Sequence, residues 1–349
     1  MSSAPTPADP ALRIAPESTH LEAADPDLAH YGGGWGARLV FCVGLQRGRS
    51  VLRSLSHEGP VRLQKLLWPE GPSPAHAILL HPPGAMAGGD RLELRVRAEE
   101  GSGLVITTPG AGKWYRSRAS ATQHLHFEVE DGACIEWMPQ ETLVHDGARM
   151  LARTSWELAS GARAAALDVL VFGRRQSGER CAELDLSLGC SVRIGGHLVY
   201  LDPLVLRGSA ALPSIATQLE GAAVMGSCHV SGLLWAYAPE FRAYPGGTSA
   251  PGYGESPGGT SALGQLASSG GAAEVVALQE SLETIFATLE SHSAEHLHVG
   301  ASCLPSGLVV VRAVGSDTET VRQRLQQAWS LLRPLVRARA AVVPRIWST

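Results

Sequence analysis

The sequence predicts a mainly β fold: a wound, multi-layer single domain that carries two α-helices in its C-terminal half. Three observations carry this expectation. Short apolar or alternating runs recur from Ala37 to about Leu206, at intervals of roughly ten to fifteen residues, with Gly or Asp between them. Such intervals leave no room for crossover helices, which disfavours a doubly wound α/β sheet and leaves antiparallel or wound β layers. Apolar stripes at three- and four-residue steps occur only beyond residue 270.

The elements follow in order. Residues 1–36 combine Pro, Ala and acidic residues with the run Gly32-Gly33-Gly34-Trp35-Gly36, and read as a disordered leader to a domain spanning 37–349. Strands are expected at Ala37 to Val43, Val61 to Leu67, His76 to His81, Leu92 to Val96, Leu104 to Thr108, His124 to Val129, Ala164 to Phe172 and His197 to Leu206. The motif Pro-Gly-Gly-Thr-Ser-Ala begins at Pro245 and again at Pro257; such composition buries too little apolar area to order itself, so about 243–273 reads as a flexible insertion. Leu278, Leu282, Ile285, Phe286 and Leu289 then mark one amphipathic helix, and Gly307 to Val314 a further strand. A second helix is expected from a capping box at Ser316 and Glu319, with Val321, Leu325, Trp329 and Leu332 buried and Pro334 ending it.

Composition narrows the function. The chain has 349 residues, with Lys+Arg 29 against Asp+Glu 33 and a net charge of −4, so no cationic field exists to hold nucleic acid or an anionic membrane surface. Charged residues make up 18%, where about 25% is usual, and a surface so poor in charge favours self-association or a standing protein partner. The longest apolar runs, such as Ala77 to Leu80 and Leu308 to Val311, fall far short of the roughly 18 residues that span a bilayer. No basic start with an apolar block precedes them, so the product is expected in the cytoplasm. The six cysteines contain no C-x-x-C pair and read as reduced, individually buried thiols.

Four segments invite chemistry. Thr108-Pro109-Gly110-Ala111-Gly112-Lys113-Trp114 contains a Gly-Lys pair, but a phosphate loop needs Gly where Thr107 stands and Ser or Thr where Trp114 stands. His292, Glu295 and His296 match H-x-x-E-H, the inverted zincin pattern, and provide the alternative reading of a zinc-dependent hydrolase. His81-Pro82-Pro83-Gly84 through Gly88-Gly89-Asp90 reads as a shaped loop after a strand; Asp90 either caps backbone amides there or joins His81 as a cation ligand. Glu136 through Gly147 gathers Glu136, Glu141, His145 and Asp146 among apolar neighbours, which requires partners, water or a cation for any that point inward.

Taken together, Leu80 to Leu92 (LHPPGAMAGGDRL), Thr107 to Ser117 (TTPGAGKWYRS), Glu136 to Ala148 (EWMPQETLVHDGA) and the closing Val343 to Thr349 (VPRIWST) resemble the UreD (UreH) family of urease accessory proteins. The resemblance runs from about Ala37 to Thr349, is weaker near Gly173 to Glu179 and Ser302 to Gly307, and leaves out the leader and the insertion. It implies a β-rich wound fold with two helices and a non-enzymatic role. UreD-type proteins bind apo-urease and act with UreF and the GTPase UreG in nickel insertion, for which an internal passage has been proposed. No cofactor is then permanently bound, and nickel is cargo in transit. Asp90, Glu136, Glu141 and Asp146 are the acids expected to line such a passage, with His81 and His145 as softer donors. Weak sequential sites suit Ni²⁺, because a tight generic site would be taken by metals higher in the affinity order.

Overall fold

A computed structural model describes residues 34–208, 215–221, 225–226, 228–244, 272–291 and 296–348. The leader up to residue 33 and the repeated segment of the insertion lie outside these residues. Among the described residues seventeen strands occur: β1 (Gly36–Gln46), β2 (Arg49–Glu58), β3 (Arg62–Leu63), β4 (Ala75–Leu80), β5 (Arg91–Ala98), β6 (Gly103–Thr107), β7 (Gly112–Trp114), β8 (Ala121–Val129), β9 (Cys134–Trp137), β10 (Thr142–Val144), β11 (Arg149–Leu158), β12 (Arg163–Phe172), β13 (Asp185–Ile194), β14 (His197–Arg207), β15 (Val230–Tyr237), β16 (Leu297–Cys303) and β17 (Leu308–Gly315). The helices are α1 (Ile215–Glu220), α2 (Ala272–Glu290) and α3 (Thr318–Arg337).

The first sheet runs β14-β13-β11-β8-β5-β1-β2 and the second β16-β17-β15-β12-β9-β6-β4-β3, with β10 and β7 branching from β12. The chain alternates between them: β4, β6, β9 and β12 belong to the second sheet, and β5, β8, β11 and β13 to the first. Neighbours within each of these sets pair parallel. Parallel pairing ordinarily requires a helical crossover; here the visit to the opposite sheet does that work. Of the two arrangements the spacing allowed, the wound one is realised, and antiparallel pairs are confined to the ends of the sheets.

Between the sheets, alternate residues of each strand point inward. In β1 these are Leu39, Phe41 and Val43, all buried. Phe127 stacks on Trp156 at 4.1 Å, and Trp156 meets Trp235 edge-on at 4.8 Å. A second core lies on the other face of the second sheet. There Val321, Leu325, Trp329 and Leu332 of α3 pack on β12, β15 and β17, and Leu282, Ile285 and Leu289 of α2 join the same cluster beside β16 and α3. A sheet covered on both faces needs apolar residues on both, hence the nearly continuous run Ala164 to Phe172. Gly232 in β15 admits α3: a Cβ there would lie 2.5 Å from Leu325 and 2.9 Å from Val321.

Two helix boundaries differ from expectation. The N-cap of α3 is Asp317, whose carboxylate accepts the Thr320 amide at 2.7 Å, in place of Ser316. Pro334 lies inside α3, which runs on to Arg337. The cost of a proline near a helix end is met here by ionic contacts from Arg333 and Arg337, on either side of it. The closing segment docks on the protein itself: Trp347 Nε1 donates to Thr107 Oγ1 at 2.8 Å and its ring packs 5.7 Å from Trp329. Among the described residues no helix is long and apolar enough to cross a membrane, and all six cysteines are free.

Candidate functional site

The wound sandwich does not close completely. A cavity of about 710 Å³ lies between the sheets, and its wall includes His81, the Thr108 to Trp114 segment, Thr154, Asp168, Cys190, Asp202 and Arg312. Strand register explains why these meet. In the second sheet Asp168 pairs with Leu233, and Leu233 with Arg312, so one row of side chains crosses β12, β15 and β17. In the first sheet Thr154 pairs with Cys190, and Cys190 with Asp202, so a second row crosses β11, β13 and β14. All of these line the cavity, and Leu233 is the one apolar side chain among them.

Asp168 is the acid that composition alone hides. It sits within the apolar run of β12, and burial pushes its carboxyl up to about 7, with the Trp137 indole N–H offsetting part of the rise. A carboxyl in that range holds a proton loosely at neutral pH and exchanges it for a cation at small cost. Cys190 is pushed up to about 12, first by burial and then by Asp168 and Asp202, which places both acids within electrostatic reach of its sulfur. Asp202 is paired: Arg312 Nη2 donates to its Oδ1 at 2.8 Å and to Tyr200 Oη at 2.9 Å.

The six residues expected to line a passage do not converge. His81 alone among them lines the cavity; its ring packs 4.7 Å from Trp35, its Nε2 is buried without a partner, and burial lowers its pKa against the opposing effect of Asp90. Asp90 is the turn cap: it accepts the Ala87 amide at 2.8 Å and the Trp35 amide at 3.2 Å. Asp90→Ala is expected to cost about 1–2 kcal/mol, read as a lower urea midpoint at unchanged slope. Glu141 pairs with Arg322 at 3.1 Å. Asp146 accepts the amides of Ala182 at 2.7 Å and Glu183 at 2.8 Å and pairs with Arg116. His145 lies edge-on to Tyr115, its Nδ1 3.5 Å from Glu179 and its Nε2 buried without a partner; burial lowers its pKa, opposed by Glu179.

Glu136 is fully buried and saturated. Its carboxylate accepts from Trp329 Nε1 at 2.8 Å, from Arg333 Nε at 2.9 Å and from Arg337 Nη1 at 3.1 Å. Arg333 also forks onto Glu70, both contacts 2.8 Å, and His76 Nε2 reaches Glu70 at 2.7 Å. Burial pushes Glu70 up, but the bonds from His76 and Arg333 outweigh it and hold the carboxyl at about 2. This cluster ties α3 to the second sheet. Among the described residues no group of three or more His, Cys, Asp and Glu side chains is placed to hold a metal ion together. His292 and Glu295 lie outside the described residues, and His296 is exposed in the turn before β16.

Comparison with known proteins gives the family. Residues 36–348 match the family described as UreD urease accessory protein. The urease accessory protein UreD of Dechloromonas aromatica is 35% identical over 316 residues, covering 90% of this chain and 95% of that protein. That of Cupriavidus pinatubonensis is 34% identical over 319 residues, and that of Methylobacillus flagellatus 31% over 316, with the same shares of both chains. With a match that spans nearly every described element, this chain belongs to the UreD family of urease accessory proteins.

Proposed function

We propose that this chain is a non-enzymatic scaffold that binds apo-urease and, together with UreF-like and UreG-like partners, supports delivery of nickel to the urease active site, the ion crossing the inter-sheet cavity. The observation that carries the proposal is the carboxyl of Asp168, met by the Trp137 indole N–H but without a cationic partner among the described residues, facing a cavity of about 710 Å³ in a UreD-family chain. Donors set singly along a wall, in place of a chelating cluster, suit cargo: each lowers the cost of stripping water from Ni²⁺ without trapping it. Of the six acids and histidines first expected to act on the ion, His81 keeps that role at the cavity wall, and Asp168 and Asp202 join it. The cytoplasm is the compartment in which apo-urease and a GTPase partner would be met.

Partner binding has its own support. The outer face of β14 exposes Leu198, Leu201 and Val205, three large apolar side chains on an edge strand. Plugging the cavity tests the transit function without altering charge. Thr154→Trp fills it from the β11 side and is expected to lower urease activation in cells about tenfold or more, roughly 1.4 kcal/mol of added barrier per factor of ten. Pull-down of apo-urease by the variant is expected to match wild type. Full activation by a folded, plugged variant would remove the cavity from the function.

A further inference from the structure

At one margin of the cavity an ionic contact joins the two sheets. Arg312 stands on β17 of the second sheet, and Asp202 and Tyr200 stand on β14, the edge strand of the first. One nitrogen, Nη2, serves both partners, at 2.8 Å to Asp202 and 2.9 Å to Tyr200. Arg312 and Asp202 both line the cavity, yet their side chains remain 53% and 25% exposed, so the pair meets solvent on one side and the cavity on the other. Deeper along the same register row, separated from Arg312 by Leu233, lies the carboxyl of Asp168, which has no cationic partner among its neighbours.

We propose that the Arg312–Asp202 pair is a charge-operated gate on the cavity, opened by a divalent cation that takes the Asp202 carboxylate from the guanidinium. This deepens the transit function and rests on it. A monovalent cation brings no more charge to Asp202 than Arg312 already supplies, and a hydrated one approaches no closer; a divalent cation doubles the attraction at equal distance and wins the exchange. Arg312 cannot lose its proton, so the competition persists at every physiological pH. Once displaced, the guanidinium remains covalently held beside the occupied carboxylate. Its like charge loosens the ion and keeps the site from becoming a trap. The gate therefore selects for charge on admission and favours release, the two properties a conducting site requires.

The test titrates the full chain calorimetrically with Ni²⁺ alone. Arg312→Gln removes the competing charge and is expected to tighten Ni²⁺ about tenfold, in keeping with the one to three powers of ten by which a neighbouring cation changes proton affinity of a carboxylate. Adding Asp202→Asn to it is expected to abolish that gain, and urease activation by Arg312→Gln is expected to fall because the ion is held too long. A merely structural clasp would not bind metal more tightly when broken. Tyr200→Phe, nearly isosteric, loosens the guanidinium and is expected to tighten Ni²⁺ by about threefold; it decides the matter should Arg312→Gln fail to fold. Wild-type or weaker Ni²⁺ affinity in the folded variants overturns the gate. If Thr154→Trp blocks activation while these affinities stay unchanged, the gate alone fails; if Thr154→Trp activates normally, the transit function itself has failed.

Discussion

Glu136→Ala is expected to destabilise the protein by about 3–5 kcal/mol, because it leaves the buried guanidinium of Arg333 and that of Arg337 short of their shared partner. Arg333 is 1% exposed, and its remaining partner, Glu70, cannot balance two cations. The loss falls on α3, whose last turn contains Pro334 and relies on these contacts. Urea unfolding followed by tryptophan fluorescence should show the shift, with Trp329 a direct reporter through its bond to Glu136. The same cluster sets an acid limit. Glu70 is held at about 2 against an unfolded value of 4.5, so its contribution is complete above about pH 4.5 and is lost as pH falls toward 2, an amount of about 3 kcal/mol at most. A Glu136→Ala protein with wild-type stability but failed urease activation would instead make this carboxylate a contact for the ion.

Asp168→Asn is expected to act in two opposite directions. Its carboxyl titrates at about 7 in the fold against 3.8 in the unfolded chain. Between these values the native state binds the proton more tightly, so stability declines as pH rises, and the penalty is complete above about pH 7. Asparagine carries no charge. The variant should therefore melt higher than wild type at pH 8, by an amount bounded at about 4 kcal/mol, and show no gain at pH 4. Urease activation should nevertheless fall about tenfold or more, since the proposed transit function makes this carboxyl the interior stop for the ion. A stabilised protein with lost activity separates a functional carboxyl from a packing residue; equal melting at pH 8, or full activation, counts against the assignment.

Much of the fold was legible along the chain. β1, β4, β5, β6, β8, β12, β14 and β17 fall on the runs marked by alternation or apolar length, and α2 and α3 on their stripes. These signals are local, and burial on one face or both writes itself into neighbouring residues. Val61 to Leu67 shows the limit: only Arg62–Leu63 forms a strand, with one further bridge between Leu67 and His76. The chemistry was less legible. Asp90 attracted notice as an acid in a shaped loop and Asp146 as one among apolar neighbours, and both bind backbone amides. Asp168 drew none, although a lone acid within the ten-residue apolar strand β12 is a usable sign: placing a charge there is expensive and calls for a reason.

By itself, then, the sequence determined the β-rich character, the two long helices and the UreD resemblance, because each is written in residues close together along the chain. Tertiary structure decided which acids are clasps and which face open space. Glu136 meets Arg333 across 197 positions and Arg312 meets Asp202 across 110. Whether a carboxylate acts on a passing ion depends on the charges beside it in space, and strand register between distant segments, which no local pattern encodes, selects those neighbours.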